Sequence, residues 1–173
     1  TGNLWRWVTG KKTKSALSYA MQLDIDGVEL TLARAEDIYN FSVTQKELSF
    51  LRALPYVTIH APFRLLRNSK DKGDIKRQLD AISQIYDMVQ AKDVIIHPTD
   101  LPSPSTLGKY SFKISIENMT PKNDISRQNL KQIMERYPGT GLCLDVSHAY
   151  LYSIDETGYL IDEFKDNISQ IHL

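Results

Sequence analysis

The stretch Lys113-Ile-Ser-Ile-Glu117 alternates polar and apolar side chains and ends in a carboxylate. Side chains two apart on a β-strand share a face, so Ser115 lies on the same face as Glu117 and the two isoleucines lie on the opposite face. Short runs of this kind are typical of buried strands in a parallel sheet. The stretch therefore predicts a strand that packs its apolar face against helices and directs Glu117, at its carboxyl end, into a polar interior.

Five further runs have the same character along the chain. They are Asp26–Leu30, Tyr56–His60, Asp93–His97, Gly141–Asp145 and Ile168–His172. Helical patterns fill most of the gaps, and in the longest, Asp74–Ala91, apolar residues recur with the 3.6-residue period of an amphipathic helix. Thr44 and Glu47 have the spacing of a helix capping box. Strands that alternate with helices predict a parallel sheet with right-handed crossovers.

Three connections carry weaker signals. The segment Pro98–Phe112 holds three prolines and has little room for a full helix, so we expect a loop there. Asn123 or Asp124 is a candidate cap for a helix over Ile125–Tyr137. The segment Asp162–Asp166 leaves room for only a short last helix.

The strand–helix rhythm fits an open doubly wound sheet and a closed barrel. No glycine-rich phosphate loop follows any of the runs, which weakens the nucleotide-binding open sheet. Thr1–Trp5 resembles the loop after a first strand, and Leu173 follows a last one directly. We expect a single α/β domain over residues 1–173. It would be a (β/α)₈ TIM barrel that is incomplete, with its first strand truncated and its eighth strand and helix absent.

Composition restricts the function classes. The chain has 173 residues, 42% hydrophobic and 24% charged, with 21 basic and 21 acidic side chains. No global basic field attracts nucleic acid, although a local basic patch stays open. The single cysteine, Cys143, excludes an internal disulfide framework and fits a reducing compartment. No apolar run approaches the roughly 20 residues of a membrane span. We expect a cytoplasmic location, and the oligomeric state, including a homo-oligomer, is left open.

Potential metal ligands lie at the carboxyl ends of five runs, the end where barrel enzymes build their active sites. These ligands are His60, His97, Glu117, Asp145 and His172. His148 lies three residues beyond Asp145 and, with Glu117, is a candidate catalytic residue. Glu29 stands above Gly27 on the first run and is a candidate for substrate contact. A single residue of this kind is often structural, but a cluster of inward carboxylates and imidazoles is costly to bury unless it is paired or binds a cation.

The ligand types restrict the metal. Imidazole with carboxylate and without thiolate suits Zn²⁺, Mn²⁺ or Fe²⁺. We expect one to three divalent ions, most simply zinc or manganese. Glu117 is the natural bridge between two ions because it has two oxygens. A bound ion would lower the pKa of a water molecule or polarise a substrate oxygen.

Four further residues are candidates for substrate contact. Arg64 begins a basic cluster that could bind phosphate, against the alternative of a solvated loop. Phe63 could insert into a base stack or line a sugar pocket, against ordinary packing. Trp7 follows the implied first strand and could form a wall of the site. Tyr150 follows His148 and could contact substrate.

The ligand-bearing motifs resemble those of one superfamily when taken in order. The motifs are His60-Ala-Pro-Phe63, Ile96-His-Pro98, Ile116-Glu-Asn118, Cys143-Leu-Asp-Val-Ser-His148 and Ile171-His-Leu173. Together they resemble the xylose-isomerase-like TIM barrels, which include endonuclease IV-type apurinic endonucleases and many sugar isomerases and epimerases. The resemblance extends from Asp26 to the end of the chain.

The two branches imply different uses of these positions. In the endonuclease branch, the counterparts of His60, His97 and Glu117 hold one metal. Those of Glu117, Asp145 and His172 contribute to a second. The counterpart of His148 then belongs to a third. In the sugar branch, Glu117, Asp145 and His172 bind a single ion with a glutamate of the last strand, and the counterpart of His148 contacts substrate.

Departures from the endonuclease pattern favour a small substrate. Thr99 stands where glycine is expected, Val146-Ser147 replaces a more typical threonine–cysteine pair, and two loops are short for gripping a bent duplex. The first hypothesis is a metal-dependent sugar or sugar-phosphate isomerase/epimerase, in which Glu117 or a last-strand partner moves a proton. The alternative is a zinc-dependent phosphodiesterase that cleaves abasic DNA. A second alternative is a non-catalytic binding barrel.

Overall fold

The computed structural model describes residues 13–66, 72–123 and 125–173. Within them, six parallel strands lie side by side in chain order: β1 (Gly27–Thr31), β2 (Tyr56–His60), β3 (Asp93–Ile96), β4 (Ile114–Glu117), β5 (Gly141–Asp145) and β6 (Ile168–His172). All six predicted runs are thereby confirmed as strands, and their parallel pairing follows the predicted strand–helix alternation.

Helices connect the strands. They are α1 (Thr13–Ala20), α2 (Ala35–Tyr39), α3 (Gln45–Ala53), α4 (Lys72–Val89), α5 (Pro104–Leu107), α6 (Arg127–Arg136), α7 (Val146–Tyr150) and α8 (Glu156–Phe164), with 3₁₀ turns at Pro98–Asp100 and Pro121–Asn123. None of the helices in the described parts of the chain combines the length and the apolar character that crossing a membrane requires.

The sheet curls until side chains of its first and last strands meet. Gln170 on β6 donates from Nε2 to Glu29 Oε2 on β1 at 2.6 Å, and Tyr56 Oη on β2 donates to the Ser169 carbonyl at 2.8 Å. The described residues therefore form a six-stranded half-barrel, which agrees with an incomplete TIM barrel. The predicted remnant of a first strand, Thr1–Trp5, lies outside the described residues, and closure by eight strands stays a prediction.

The convex face of the sheet carries the hydrophobic core. Its outward side chains include Ile59, Ile116, Leu142 and Leu144, none of which is exposed to solvent. The helix α4 lays its own buried stripe, Leu79, Ile82, Ile85 and Val89, against this face. Each such side chain contributes about 1.5–3 kcal/mol of hydrophobic stabilisation. The predicted period of this helix is confirmed, and its end at Val89 has a local cause, because Gln90 adopts a left-handed φ of 57°.

The amino end of the concave face is too narrow for larger side chains. A Cβ atom on Gly141 would lie 2.8 Å from Ser115 Oγ and 2.7 Å from Ser169 Oγ. These two hydroxyl oxygens are themselves 2.6 Å apart and join β4 to β6. Small residues therefore line this end of the half-barrel.

Local capping sets the helix boundaries. Thr44 accepts the Glu47 amide while the Glu47 carboxylate accepts the Thr44 amide, so the predicted capping box of α3 is confirmed. The predicted cap at Asn123 is wrong, because Ser126 accepts the amide of Asn129 and starts α6 at Arg127. The other candidate, Asp124, lies outside the described residues.

Two connections differ in detail from the prediction. Pro98–Phe112 holds no full helix, as expected, but it contains a 3₁₀ turn and the four-residue α5, which Ser103 caps. The last helix, α8, begins at Glu156 rather than near Asp162. Buried side chains four residues apart, Leu160 and Phe164, anchor this longer helix to the core.

Candidate metal centre

The predicted ligands lie along one rim of the half-barrel. His60 ends β2, His97 directly follows β3, Glu117 ends β4, Asp145 ends β5 and His172 ends β6. Because alternate strand side chains share a face, these residues project into the concave interior while their apolar neighbours face the helices. The structure thus brings together at one rim five side chains that are widely separated in the sequence.

Glu117 lies at the centre of this cluster and is only 3% exposed. Its Oε2 is 3.2 Å from His60 Nε2 and 3.0 Å from His97 Nε2. Its Oε1 faces the other side and lies 3.2 Å from His172 Nδ1. The two oxygens of one carboxylate therefore face two different groups of imidazoles.

Two sets of ligand atoms have the spacing that a metal ion requires. One set is His60, His97 and Glu117, and the other is Glu117, Asp145 and His172; within each set the ligand atoms all lie within 4.8 Å of one another. Glu117 is common to both sets. Carboxylate oxygens and imidazole nitrogens in this combination are suitable ligands for zinc or manganese.

The orientation of His60 fits a cation between its ring and Glu117. Its Nδ1 lies 2.8 Å from the Ala61 carbonyl oxygen, which can only accept a hydrogen bond, so Nδ1 carries a proton. In the neutral ring, the lone pair on Nε2 then faces a carboxylate oxygen. That arrangement is repulsive unless a proton or a metal ion lies between the two atoms.

The two carboxylate oxygens of Asp145 have different roles, one in capping a helix and one in the ligand cluster. Oδ1 accepts the His148 amide at 2.7 Å and the Ser147 hydroxyl at 2.6 Å, which caps α7. Oδ2 lies 3.8 Å from His172 Nδ1. The cap holds the carboxylate so that its second oxygen faces the cluster.

His148 lies beside the two sets rather than within either. Its Nδ1 is 2.9 Å from the Asn118 carbonyl oxygen and 3.8 Å from both Glu117 Oε1 and Asp145 Oδ2. Donation to the Asn118 carbonyl places the proton of a neutral ring on Nδ1. Nε2 is then the nitrogen of His148 that retains a lone pair.

The electrostatics of the cluster favour positive charge. Burial alone opposes ionisation of Glu117, but hydrogen bonds from three imidazoles outweigh it and hold the pKa of this carboxyl far below its usual range. Hydrogen bonds with the Cys143 thiol and then with two carboxylates raise the pKa of His172 to about 12. Glu117 therefore stays ionised at neutral pH, as a metal ligand must, whereas His172 would release a proton on binding an ion.

The cluster carries the negative charge that divalent ions would neutralise. Three carboxylates, those of Glu29, Glu117 and Asp145, contact the imidazoles of the cluster. One divalent ion would leave this group net negative when the imidazoles are neutral, and two would leave one net positive charge. The formal charges alone therefore fit either one ion or two.

The other predicted site residues are placed as follows. Phe63 is 42% exposed and lies beside His60 and His97, and Tyr150 is 64% exposed at the end of α7. Arg64 is exposed and has a left-handed φ of 63°. Trp7 lies outside the described residues. Glu29 lies on the concave face, and its Oε2 is 2.8 Å from His172 Nε2.

Sequence reasoning assigned no role to Asn118 or Asp100. The Asn118 side chain donates to the Asp145 carbonyl at 2.9 Å and accepts the Asp145 amide at 2.6 Å, which ties β5 to the residue after Glu117. The buried Asp100 carboxylate accepts the amides of Arg64 and Leu66, both at 3.2 Å. In the sequence, each of them is only a polar residue shortly after a predicted metal ligand, Glu117 or His97. Many loops have such residues, so the pattern does not indicate a role.

Comparison with known proteins shows the fold. No protein-family model and no curated protein matches the sequence. A D-tagatose 3-epimerase-like protein superposes with a TM-score of 0.70 at 16% identity, covering 94% of this chain and 72% of that one. Endonuclease IV from Thermus thermophilus superposes with a TM-score of 0.64 at 17% identity, with the same coverage of 94% and 72%.

A xylose isomerase domain protein from Planctomyces limnophilus superposes with a TM-score of 0.59 at 13% identity, covering 90% of this chain and 67% of that one. Identities this low establish architecture and not activity. The names of the three proteins differ, but each protein superposes on at least 90% of this chain. The fold of this chain is that of the xylose-isomerase-like barrels.

Proposed function

We propose that this chain is a metal-dependent enzyme that holds two divalent ions bridged by Glu117 and hydrolyses phosphate esters. The proposal rests on the contacts of the two Glu117 carboxylate oxygens. Oε2 faces His60 and His97, whereas Oε1 faces His172. An enzyme that uses one ion needs only one of these ligand sets. A carboxylate between two sets is the arrangement of two-metal hydrolytic sites.

The chemistry of phosphate esters suits such a site. Divalent ions bound there would supply an activated water molecule and would neutralise the charge that develops on the phosphate oxygens. The net positive charge left by two ions favours an anionic substrate. Phe63, Arg64 and Tyr150, exposed around the rim, would contact the remainder of the substrate. His148 would hold or move a proton at Nε2, because Nδ1 is engaged by the Asn118 carbonyl.

The sequence motifs favoured a sugar or sugar-phosphate isomerase/epimerase as the first hypothesis. The proposal instead puts hydrolysis first. Isomerisation needs a base that can move a proton between substrate carbons. The carboxylate of Glu29 is hydrogen-bonded to His172, and Glu117 lies between the two ligand sets. Neither of these two carboxylates is therefore placed as an uncommitted base, which supports hydrolysis over isomerisation.

The isomerase remains the second candidate because of one specific observation. Glu117, Asp145 and His172 form a complete three-ligand set without the two histidines of the other set. A single ion on this set could bind adjacent oxygens of a sugar. The structural likeness to a D-tagatose 3-epimerase-like protein is compatible with this use of the set.

Metal content gives the first test. Purified protein loaded with zinc or manganese and freed of excess ion should retain about two ions per chain, measured by inductively coupled plasma mass spectrometry. Glu117→Gln should lower both occupancies, because the amide lacks the negative charge that both sets share. Glu36→Gln, on an exposed helical position of α2, is the matched control and should retain both ions.

Activity separates the two candidates. The hydrolase should release phosphate from sugar phosphates or incise an oligonucleotide that contains an abasic site, and Glu117→Gln should abolish either reaction. The isomerase would instead incorporate deuterium from solvent into ketoses or ketose phosphates without releasing phosphate. Retention of one ion together with such exchange would reverse the order of the two candidates.

A further inference from the structure

Glu29 and His172 come from opposite ends of the sheet and meet inside it. Glu29 Oε2 on β1 lies 2.8 Å from His172 Nε2 on β6. The other ring nitrogen, Nδ1, faces Glu117 and Asp145 at 3.2 and 3.8 Å. One edge of the imidazole therefore faces Glu29, and the opposite edge faces the ligand set.

We propose that Glu29 is a positioning residue that selects Nδ1 of His172 as the metal-binding nitrogen. The proposal rests on the proposed function, because it assumes that the second ligand set binds an ion. A neutral imidazole has one N–H and one lone pair, and a carboxylate can only accept a hydrogen bond. Glu29 therefore requires the proton on Nε2, which leaves the lone pair on Nδ1.

Gln170 fixes the position of the Glu29 carboxylate. Its Nε2 donates to the same oxygen, Glu29 Oε2, at 2.6 Å. Gln170 Nε2 also lies 2.9 Å from His172 Nε2, so in this arrangement the two nitrogens face one acceptor oxygen. Its own Oε1 is buried and has no hydrogen-bond partner among the residues that the structure describes. Rotating the amide by half a turn would bring Oε1 against the ionised Glu29, so the donor orientation is kept even though the acceptor is left unpaired.

The arrangement has a chemical consequence for the ion. A carboxylate that accepts the far N–H of a ligating histidine fixes the tautomer and the ring orientation and increases the basicity of the ligating nitrogen. The side chain of Glu29 is 22% exposed, and its Oε2 already accepts from both Gln170 and His172. The contact is thus directed toward His172, where the sequence had suggested substrate.

The first test identifies the ligating nitrogen. In zinc-loaded protein labelled with ¹⁵N-histidine, long-range ¹H–¹⁵N spectra should show His172 with zinc on Nδ1 and a proton on Nε2. Glu29→Ala should make the Nε2 proton exchange rapidly with solvent, and Glu29→Gln should restore part of its protection through the amide oxygen. Zinc on Nε2 in the unaltered protein would overturn the proposal.

The second test measures affinity at each set. Zinc titration against a chromophoric chelator should show that Glu29→Ala weakens one ion by roughly 10- to 100-fold and leaves the other unchanged. Glu36→Ala is the exposed control and should match the unaltered protein. If the unaltered protein binds no second ion, the proposed function fails. If it binds two ions and Glu29→Ala binds both equally well, only the positioning role fails.

Discussion

The ring of Phe63 lies almost parallel to the imidazole of His97, with their centroids 5.3 Å apart and an angle of 4° between the planes. The same ring meets His60 edge-on at 5.0 Å. One exposed aromatic side chain therefore contacts both imidazoles that face Glu117 Oε2. It restrains the two rings of the first ligand set.

Replacing Phe63 should weaken this ligand set. Aromatic pairs of this kind contribute about 0.5–1.5 kcal/mol beyond burial, so Phe63→Leu should reduce zinc affinity at one ion by roughly two- to tenfold. Zinc titration measures the change. Tyr159→Leu, another exposed aromatic far along the chain on α8, is the control. Equal affinities in both variants would show that the stacking does not restrain the ligands.

Bound metal should stabilise the folded chain. An ion that binds only the folded state contributes about 2.7 kcal/mol at a concentration of 100 times Kd. For a chain of this size, that corresponds to a rise in Tm of about 5–10 °C. Thermal unfolding with zinc and with a chelator measures the difference. Glu117→Gln should melt at nearly the same temperature in both conditions, and a metal-dependent shift that persists in this variant would contradict the shared role of Glu117.

Asp100 should stabilise the loop that carries Phe63. Its carboxylate is 2% exposed and accepts the amides of Arg64 and Leu66. Asp100→Ala would leave both amides without this acceptor, at about 1–3 kcal/mol for each that stays buried. Asp100→Asn should cost less because one oxygen remains. Urea unfolding measures the change, and the exposed Asp162→Ala should alter stability by no more than about 0.5 kcal/mol. Full stability in Asp100→Ala would show that water replaces the carboxylate.

Asp93 should reduce stability at neutral pH. Burial raises the pKa of this carboxyl above its usual 3.8, and a hydrogen bond from Ser115 only partly offsets the effect. The folded state thus binds the proton more tightly than the unfolded state does. The stabilisation that comes from protonated Asp93 is fully present below pH 3.8. It is lost as the pH rises through the higher folded-state pKa of this carboxyl.

Asp93→Asn tests this sign. The amide cannot ionise, so the variant should be more stable than the unaltered protein at neutral pH, and the difference should shrink as the pH falls toward 3.8. Chemical unfolding across this interval gives the two curves. A variant that loses stability at neutral pH would show that the carboxylate is stabilised by its partners more than burial penalises it.

Much of the fold could be predicted from local patterns. The alternation in Lys113–Glu117 predicts which side chains face the helices, and Ile116 and Glu117 lie on opposite faces as expected. The helix start at Ser126 could not be ranked above Asn123 from the sequence, because all short polar residues can accept a backbone amide. Which of them caps the helix depends on how the preceding turn packs.

The sequence by itself determined the chemistry of the centre, since it places imidazoles and carboxylates at successive strand ends, where parallel strands bring them to one rim. Only the tertiary structure decided how they are used. The curl of the sheet brings Glu29 to His172 across 143 positions of the chain, and the strand register turns the two oxygens of Glu117 toward different imidazoles. Residue type and spacing are local properties, whereas hydrogen bonds between opposite strands depend on how far the sheet closes.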